Sequence, residues 1–117
     1  MPDFDMKIKE ESGVIVVTTN GYLNNYGGEQ VASVCLQKIS EGKRKFLVNV
    51  ENTAMVNSIG VSIIIEVIEE LQGTGGKIAF CHTAPIVEKT FNIMGVSKYA
   101  KIYATEEDGL AELSLWS

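Results

Sequence analysis

The chain has 117 residues, 45% of them hydrophobic and 21% charged, and a formal net charge of -5 at pH 7. That length and balance suit one globular domain over 1–117 and exclude intrinsic disorder, which needs fewer apolar residues and more net charge. The acidic excess excludes a nucleic-acid binder, because nucleic-acid backbones are held by clustered Lys and Arg, and the short run Lys43-Arg44-Lys45 reads as a solvated stretch before a strand.

In residues 5–11, Met6 and Ile8 alternate weakly with polar neighbours, which predicts a strand. Ser12-Gly13 is a two-residue turn signal and residues 14–19 are β-branched, so the first two strands form an antiparallel hairpin. Residues 20–28 hold three glycines and read as a polar loop. Residues 29–41 place Val31, Val34, Cys35 and Ile39 at helical spacing, and Gly42 ends that helix. Residues 46–50 predict a buried strand and 51–57 a loop.

Residues 58–72 predict a second helix. The β-branched run Ile63-Ile64-Ile65 would suit a strand. Helix is favoured by length, by Ser58 as an N-cap, by Gly73 just past the end, and by Glu66, Glu69 and Glu70 opposite an apolar stripe of Val61, Ile64, Ile65, Ile68 and Leu71. The three glutamates read as a solvated face or as an acidic docking surface for a basic partner. Residues 77–81 predict a fourth strand. Thr83 reads as the cap of a third helix, with Pro85 in its first turn, Val87, Phe91 and Met94 on one side, and Gly95 as its stop. Residues 100–104 predict a short fifth strand, and 106–115 a last helix with acidic residues in its first turn.

The expected fold is therefore α/β: a mixed five-stranded sheet with an antiparallel hairpin strand at its N-terminal edge, the rest parallel, and about four helices. Sites in such sheets form at the carboxyl ends of the strands. Two loops leave strands there, 20–28 and 51–57, and side by side they would make one surface.

The sequence offers little catalytic chemistry. It has no GxxxxGK[ST] phosphate loop, and Gly73, Gly75 and Gly76 follow a helix rather than open one. His82 is the only histidine, so neither a metal site nor a cofactor is expected. A Ser58–His82 nucleophile–base pair stays open as an enzyme reading, although nothing supplies the third, orienting group. Cys35 and Cys81 lack CxxC spacing and read as small buried hydrophobes, in keeping with a reducing cytoplasm. The N-terminus lacks a signal-peptide pattern and no apolar run reaches membrane length.

Residues 46–60, FLVNVENTAMVNSIG, carry the strongest signal: an apolar strand, a short loop, then Asn-Ser-x-Gly at a helix start. This resembles the signature of the STAS domain, and in particular the bacterial anti-sigma-factor antagonists. Asn20-Gly21-Tyr22-Leu23-Asn24 resembles that family's Gly-x-Leu/Ile-Asp element. Ala84-Pro85-Ile86-Val87 with Phe91 and Gly95 resembles its third helix, and Gly76-Lys77 its approach to the fourth strand. Two positions depart from the pattern: acidic residues of the family are Asn24 and Asn57 here, which removes negative charge near Ser58, and Ile59 replaces the second Ser of the usual pair.

The resemblance implies a cytoplasmic interaction module, not an enzyme. Unphosphorylated, it would bind an anti-sigma factor that is also a serine-protein kinase and so release a sigma factor. That kinase would phosphorylate Ser58 and a phosphatase would reset it, with no nucleic acid or membrane as partner. The expected partner surface combines Asn24, Asn25, Met55, Val56, Asn57, Ile59, Gly60, Ile63 and Val67, with Tyr26 at the rim. Ile63 and Val67 would stand exposed four apart on the second helix, or be buried against its neighbour. The same surface could also serve a scaffold or ligand-regulated domain without phosphorylation.

Overall fold

Ser12 and Gly13 both take positive φ, 54° and 78°. Paired positive φ values make the tight turn whose twist matches a right-handed hairpin. They join β1 (Phe4–Glu11) to β2 (Val14–Gly21), which pair antiparallel with Glu11 opposite Val14. The computed structural model describes residues 4–115. After the hairpin come α1 (Asn25–Ser40), β3 (Lys45–Asn52), α2 (Ser58–Gly73), β4 (Lys77–Cys81), α3 (Pro85–Ile93), a single 3-10 turn (Val96–Lys98), β5 (Lys101–Tyr103) and α4 (Glu106–Leu115). The strands lie in chain order, β1-β2-β3-β4-β5, and every pairing after the hairpin is parallel. This is the expected mixed sheet with its hairpin strand at one edge.

Alternation along the strands builds two cores. Ile15, Val17, Phe46, Val48, Val50, Ile78 and Phe80 share one cluster with Val31 and Cys35 of α1, Val61, Ile64, Ile68 and Leu71 of α2, and Val87 and Phe91 of α3. Phe80 and Phe91 meet with ring centroids 4.9 Å apart. Val14, Val16, Leu47, Ala79 and Cys81 form a smaller cluster with Leu113 of α4. Val-rich strands buried on both faces are what a parallel sheet between helices requires.

Three local expectations are corrected. Residues 20–28 are not one loop: β2 runs to Gly21 and α1 begins at Asn25, so the connection is three residues. Gly27 and Gly28 are buried inside α1, where close packing, not loop flexibility, selects glycine. Thr83 does not cap α3; the cap position is Ala84 with no side-chain bond, and the Thr83 hydroxyl donates to Glu88 Oε1 at 3.0 Å instead.

Asn49 Nδ2 donates to Oε1 of Glu106 at 2.9 Å, and Lys9 Nζ lies 3.0 Å from its Oε2, tying α4 to β3 and β1. The Asn49 bond, opposed by partial burial and aided by Lys9, holds the Glu106 carboxyl below the usual carboxylate range. A folded-state value below the unfolded one gives stability that is present at neutral pH and lost as pH falls through the lowered value. Glu106→Gln is therefore expected to be less stable than wild type at neutral pH and to converge on it in acid, as urea unfolding across a pH series will read.

Candidate strand-exit recognition site

The loops after β2 and β3 are zipped together. The Leu23 N–H donates to the Met55 carbonyl at 3.0 Å, and the Asn57 N–H donates to the Leu23 carbonyl at 3.1 Å, making a parallel bridge between Leu23 and Val56. Leu23 itself is buried in the main core, which anchors the bridge. The two exits therefore form one continuous surface, the arrangement on which the sequence reading depended.

From that bridge the two helices start in the same way. Asn24 Oδ1 accepts the Gly27 N–H at 3.0 Å and its carbonyl accepts the Gly28 N–H at 2.7 Å. Asn57 Oδ1 accepts the Gly60 N–H at 2.8 Å and its carbonyl accepts the Val61 N–H at 3.0 Å. Both residues are N-caps with extended backbone. The cap of α2 is thus Asn57, not Ser58, and Ser58 is the first helical residue. Asn caps as well as Asp does, so Asn24 and Asn57 preserve the architecture and change only the charge. Asn57→Ala is expected to cost about 1 kcal/mol of stability, whereas Ser58→Ala should cost a few tenths or less; denaturant unfolding of the two variants separates the roles.

Ser58 is exposed, between Met55 at 58% exposure and Ile59 at 57%. Asn25 and Tyr26 are exposed at the start of α1, while Asn24, Val56, Asn57 and Ile63 are half-buried. Two expected surface residues belong elsewhere. Val67 is only 2% exposed and packs in the main core, because α2 carries a second apolar row toward α1 as well as one toward the sheet. Gly60 is buried under the first loop: a Cβ there would meet the Leu23 carbonyl and stand 2.7 Å from the Asn24 oxygen. Gly28 is its counterpart, with a Cβ position 2.9 Å from the Gly60 oxygen. These glycines set how closely the two helix starts approach, and Gly27-Gly28 at a helix start was the sequence signal for it.

His82 closes β4 with φ 57° and its Nε2 accepts the Glu106 N–H at 3.3 Å, while Thr105 Oγ1 accepts the Asp108 N–H at 3.1 Å. The histidine's acceptor nitrogen thus serves the start of α4, and among the described residues Ser58 makes no hydrogen bond to it. The nucleophile–base pairing is not formed. Cys35 and Cys81 are free and buried, and burial pushes both thiols up to about 12. Among the described residues no cluster of three or more His, Cys, Asp or Glu could hold a metal, and no helix is long and apolar enough to cross a membrane.

Sequence reasoning overlooked Leu36, a leucine 43% exposed on α1. Its signal was present: it falls off the Val31–Cys35–Ile39 stripe that faces the core.

These features define a class: a mixed-sheet α/β domain whose joined strand exits present one exposed serine, flanked by apolar side chains, at the start of a helix. The STAS domain pattern matches residues 5–109, and the chain belongs to the STAS domain family. It is 23% identical over 116 residues to the anti-sigma F factor antagonist of Paenibacillus polymyxa, spanning 98% of this chain and 99% of that protein. An anti-sigma factor antagonist from Mycobacterium paratuberculosis shares the fold with a TM-score of 0.84, 18% identity and 97% of each chain covered. The Bacillus cell fate determinant SpoIIAA in its phosphorylated form superposes with a TM-score of 0.74 at 21% identity, over 92% of this chain and 98% of its own. SpoIIAA in its unphosphorylated form gives the same TM-score, 0.74, at 20% identity, over 92% and 96%.

Proposed function

We propose that this chain is an anti-sigma-factor antagonist, with residues 1–117 acting as one STAS domain switched at Ser58. Its unphosphorylated form binds an anti-sigma factor that is also a serine kinase, and a sigma factor is released. Phosphorylation of Ser58 by that kinase ends the binding, and a phosphatase restores it. The chain supplies a hydroxyl and a shaped surface and does no catalysis of its own. It works in the cytoplasm.

The observation that carries this reading is the position of Ser58: exposed, first in α2, between exposed Met55 and Ile59, and adjoining the loop that leads into α1. A kinase can reach such a hydroxyl, and a partner can cover its surroundings. The added group brings roughly -1.5 to -2 charges at pH 7. Neither α1 nor α2 has an acidic residue in its first turn, and a helix start favours an anion. The modified chain therefore stays folded, and the charge acts on the partner. The likeness of the fold to both the phosphorylated and the unphosphorylated forms of SpoIIAA supports a switch that keeps its shape.

Incubation with ATP and the cognate kinase tests the assignment. Wild type should be labelled once and Ser58→Ala not at all; equal labelling of the two proteins removes Ser58 from the mechanism.

A further inference from the structure

Helices α1 and α2 pack side by side, and between their outward faces runs a groove of about 560 Å³. Ala32 and Leu36 of α1 and Ile63 of α2 give it apolar walls, and Glu66 and Glu70 of α2 line it as well. Leu36 has no part in the buried stripe of its own helix, yet it faces this groove. Glu66, Glu69 and Glu70 are exposed, and among the described residues none of them makes an ion pair. The nearby Lys38 is engaged by Glu41 at 3.7 Å. Like charges three and four apart on a helix repel by a few tenths of a kcal/mol per pair. The groove thus joins an exposed apolar wall to negative charge that no ion pair among the described residues answers. It also runs on from the Ser58 surface, because Ile59 and Ile63 are four apart on α2 and share a face.

We infer that this groove receives an amphipathic helix of the partner, its apolar side chains against Leu36 and Ile63 and its Lys or Arg side chains facing Glu66 and Glu70. The inference rests on the partner-binding role proposed for the Ser58 surface and names the chemistry of the second contact. Two parallel rows of apolar side chains with a charged rim are the geometry that helix-in-groove recognition uses. A second copy of this chain is the poorer occupant, since its net charge of -5 would repel the acidic rim.

The experiment uses the full isotope-labelled chain and two synthetic helix-forming peptides of about 15 residues, one of leucine and lysine, the other of leucine and glutamate in the same pattern. The basic peptide should shift the amide resonances of Ala32, Leu36, Ile63 and Glu70, and the acidic peptide should not bind. The double variant Glu66→Lys/Glu70→Lys and, separately, Leu36→Ser should each weaken the basic peptide at least about tenfold with unchanged melting temperatures. Equal binding of both peptides, shifts centred on other elements, or undiminished binding by the variants overturns the proposal. So does self-association of the free chain that Leu36→Ser abolishes, which gives the groove to a second copy. Kinase labelling of wild type reports on the phosphorylation reading separately: labelled Ser58 with no binding of the basic peptide to wild type sinks this inference alone, and groove binding with Ser58 unlabelled sinks the other.

Discussion

Ser58→Glu is expected to weaken binding of the anti-sigma partner by about a hundredfold or more while leaving the melting temperature unchanged or slightly raised. The carboxylate stands where Met55 and Ile59, both more than half exposed, offer apolar surface to a partner. Covering that surface removes water from the new charge without giving it a counter-ion, and a penalty of about 3 kcal/mol is already more than a hundredfold in affinity. The free chain feels the opposite effect. The first turn of α2 has no acidic residue, and among the described residues the Ser58 and Ile59 amides have no partner within the protein, because Asn57 serves Gly60 and Val61. An anion there gains about 0.3–1 kcal/mol from the helix dipole at low salt. Titration calorimetry against the anti-sigma partner and a thermal melt read both halves. Ser58→Gln, of the same size but neutral, separates charge from bulk. If the Glu and Gln variants bind equally weakly, bulk and not charge blocks the site, and the switch cannot work by electrostatics.

The elements of the fold were legible because their periodicities are strong. The β-branched run after Ser12-Gly13, the KIAFC strand and the apolar stripe of α2 each matched one template, and the parallel order followed from single helices between strands. Ser58 was singled out for a different reason: the Asn-Ser-x-Gly element, reached from a buried strand through a short loop, resembles the STAS signature. What the sequence hid were contacts between segments distant in the chain. Asn57 rather than Ser58 caps α2 because the bridge to Leu23 holds Asn57 extended, and the partner of that bridge lies in another loop. Two adjacent cap-competent residues look alike until that bond is known. Gly27 and Gly28 read as loop glycines because what requires them to be small lies far off in the chain: the Phe4 ring of β1 beside Gly27, and the start of α2 beside Gly28. Val67 stays open in the sequence between the surface and a neighbouring helix because one buried row was already assigned to α2, and only the packing of α1 beside it makes a second row necessary.

That interhelical contact makes Gly60→Ala the most damaging small substitution at the site. A methyl group there would collide with the Leu23 carbonyl and lie 2.7 Å from the Asn24 oxygen. Neither obstacle is a flexible side-chain tip. The Leu23 carbonyl accepts the Asn57 N–H and the Asn24 carbonyl accepts the Gly28 N–H, so relief must break a bond that starts α2 or one that starts α1. Overpacking usually costs about 1–3 kcal/mol, and the helix preference of Ala over Gly returns about 1. A backbone obstacle puts the collision at the upper end of the range. The net loss is expected to be about 2 kcal/mol, a fall of roughly 10 °C in melting temperature for a domain of this size. Gly73→Ala is the matched control, since it lies in the last turn of the same helix with no atom within 4 Å of the added carbon. It should be neutral or stabilising by up to about 1 kcal/mol. The two variants carry the same chemical change, so their difference measures the close approach itself. It also links stability to recognition: to seat the methyl group, the first loop must move away from the α2 start, and the surface beside Ser58 opens. Gly60→Ala should therefore lose partner affinity even at temperatures where it remains folded, while Gly73→Ala keeps it. A Gly60→Ala protein that melts with wild type and binds normally would mean that the two strand exits do not meet as tightly as the Leu23–Val56 bridge requires.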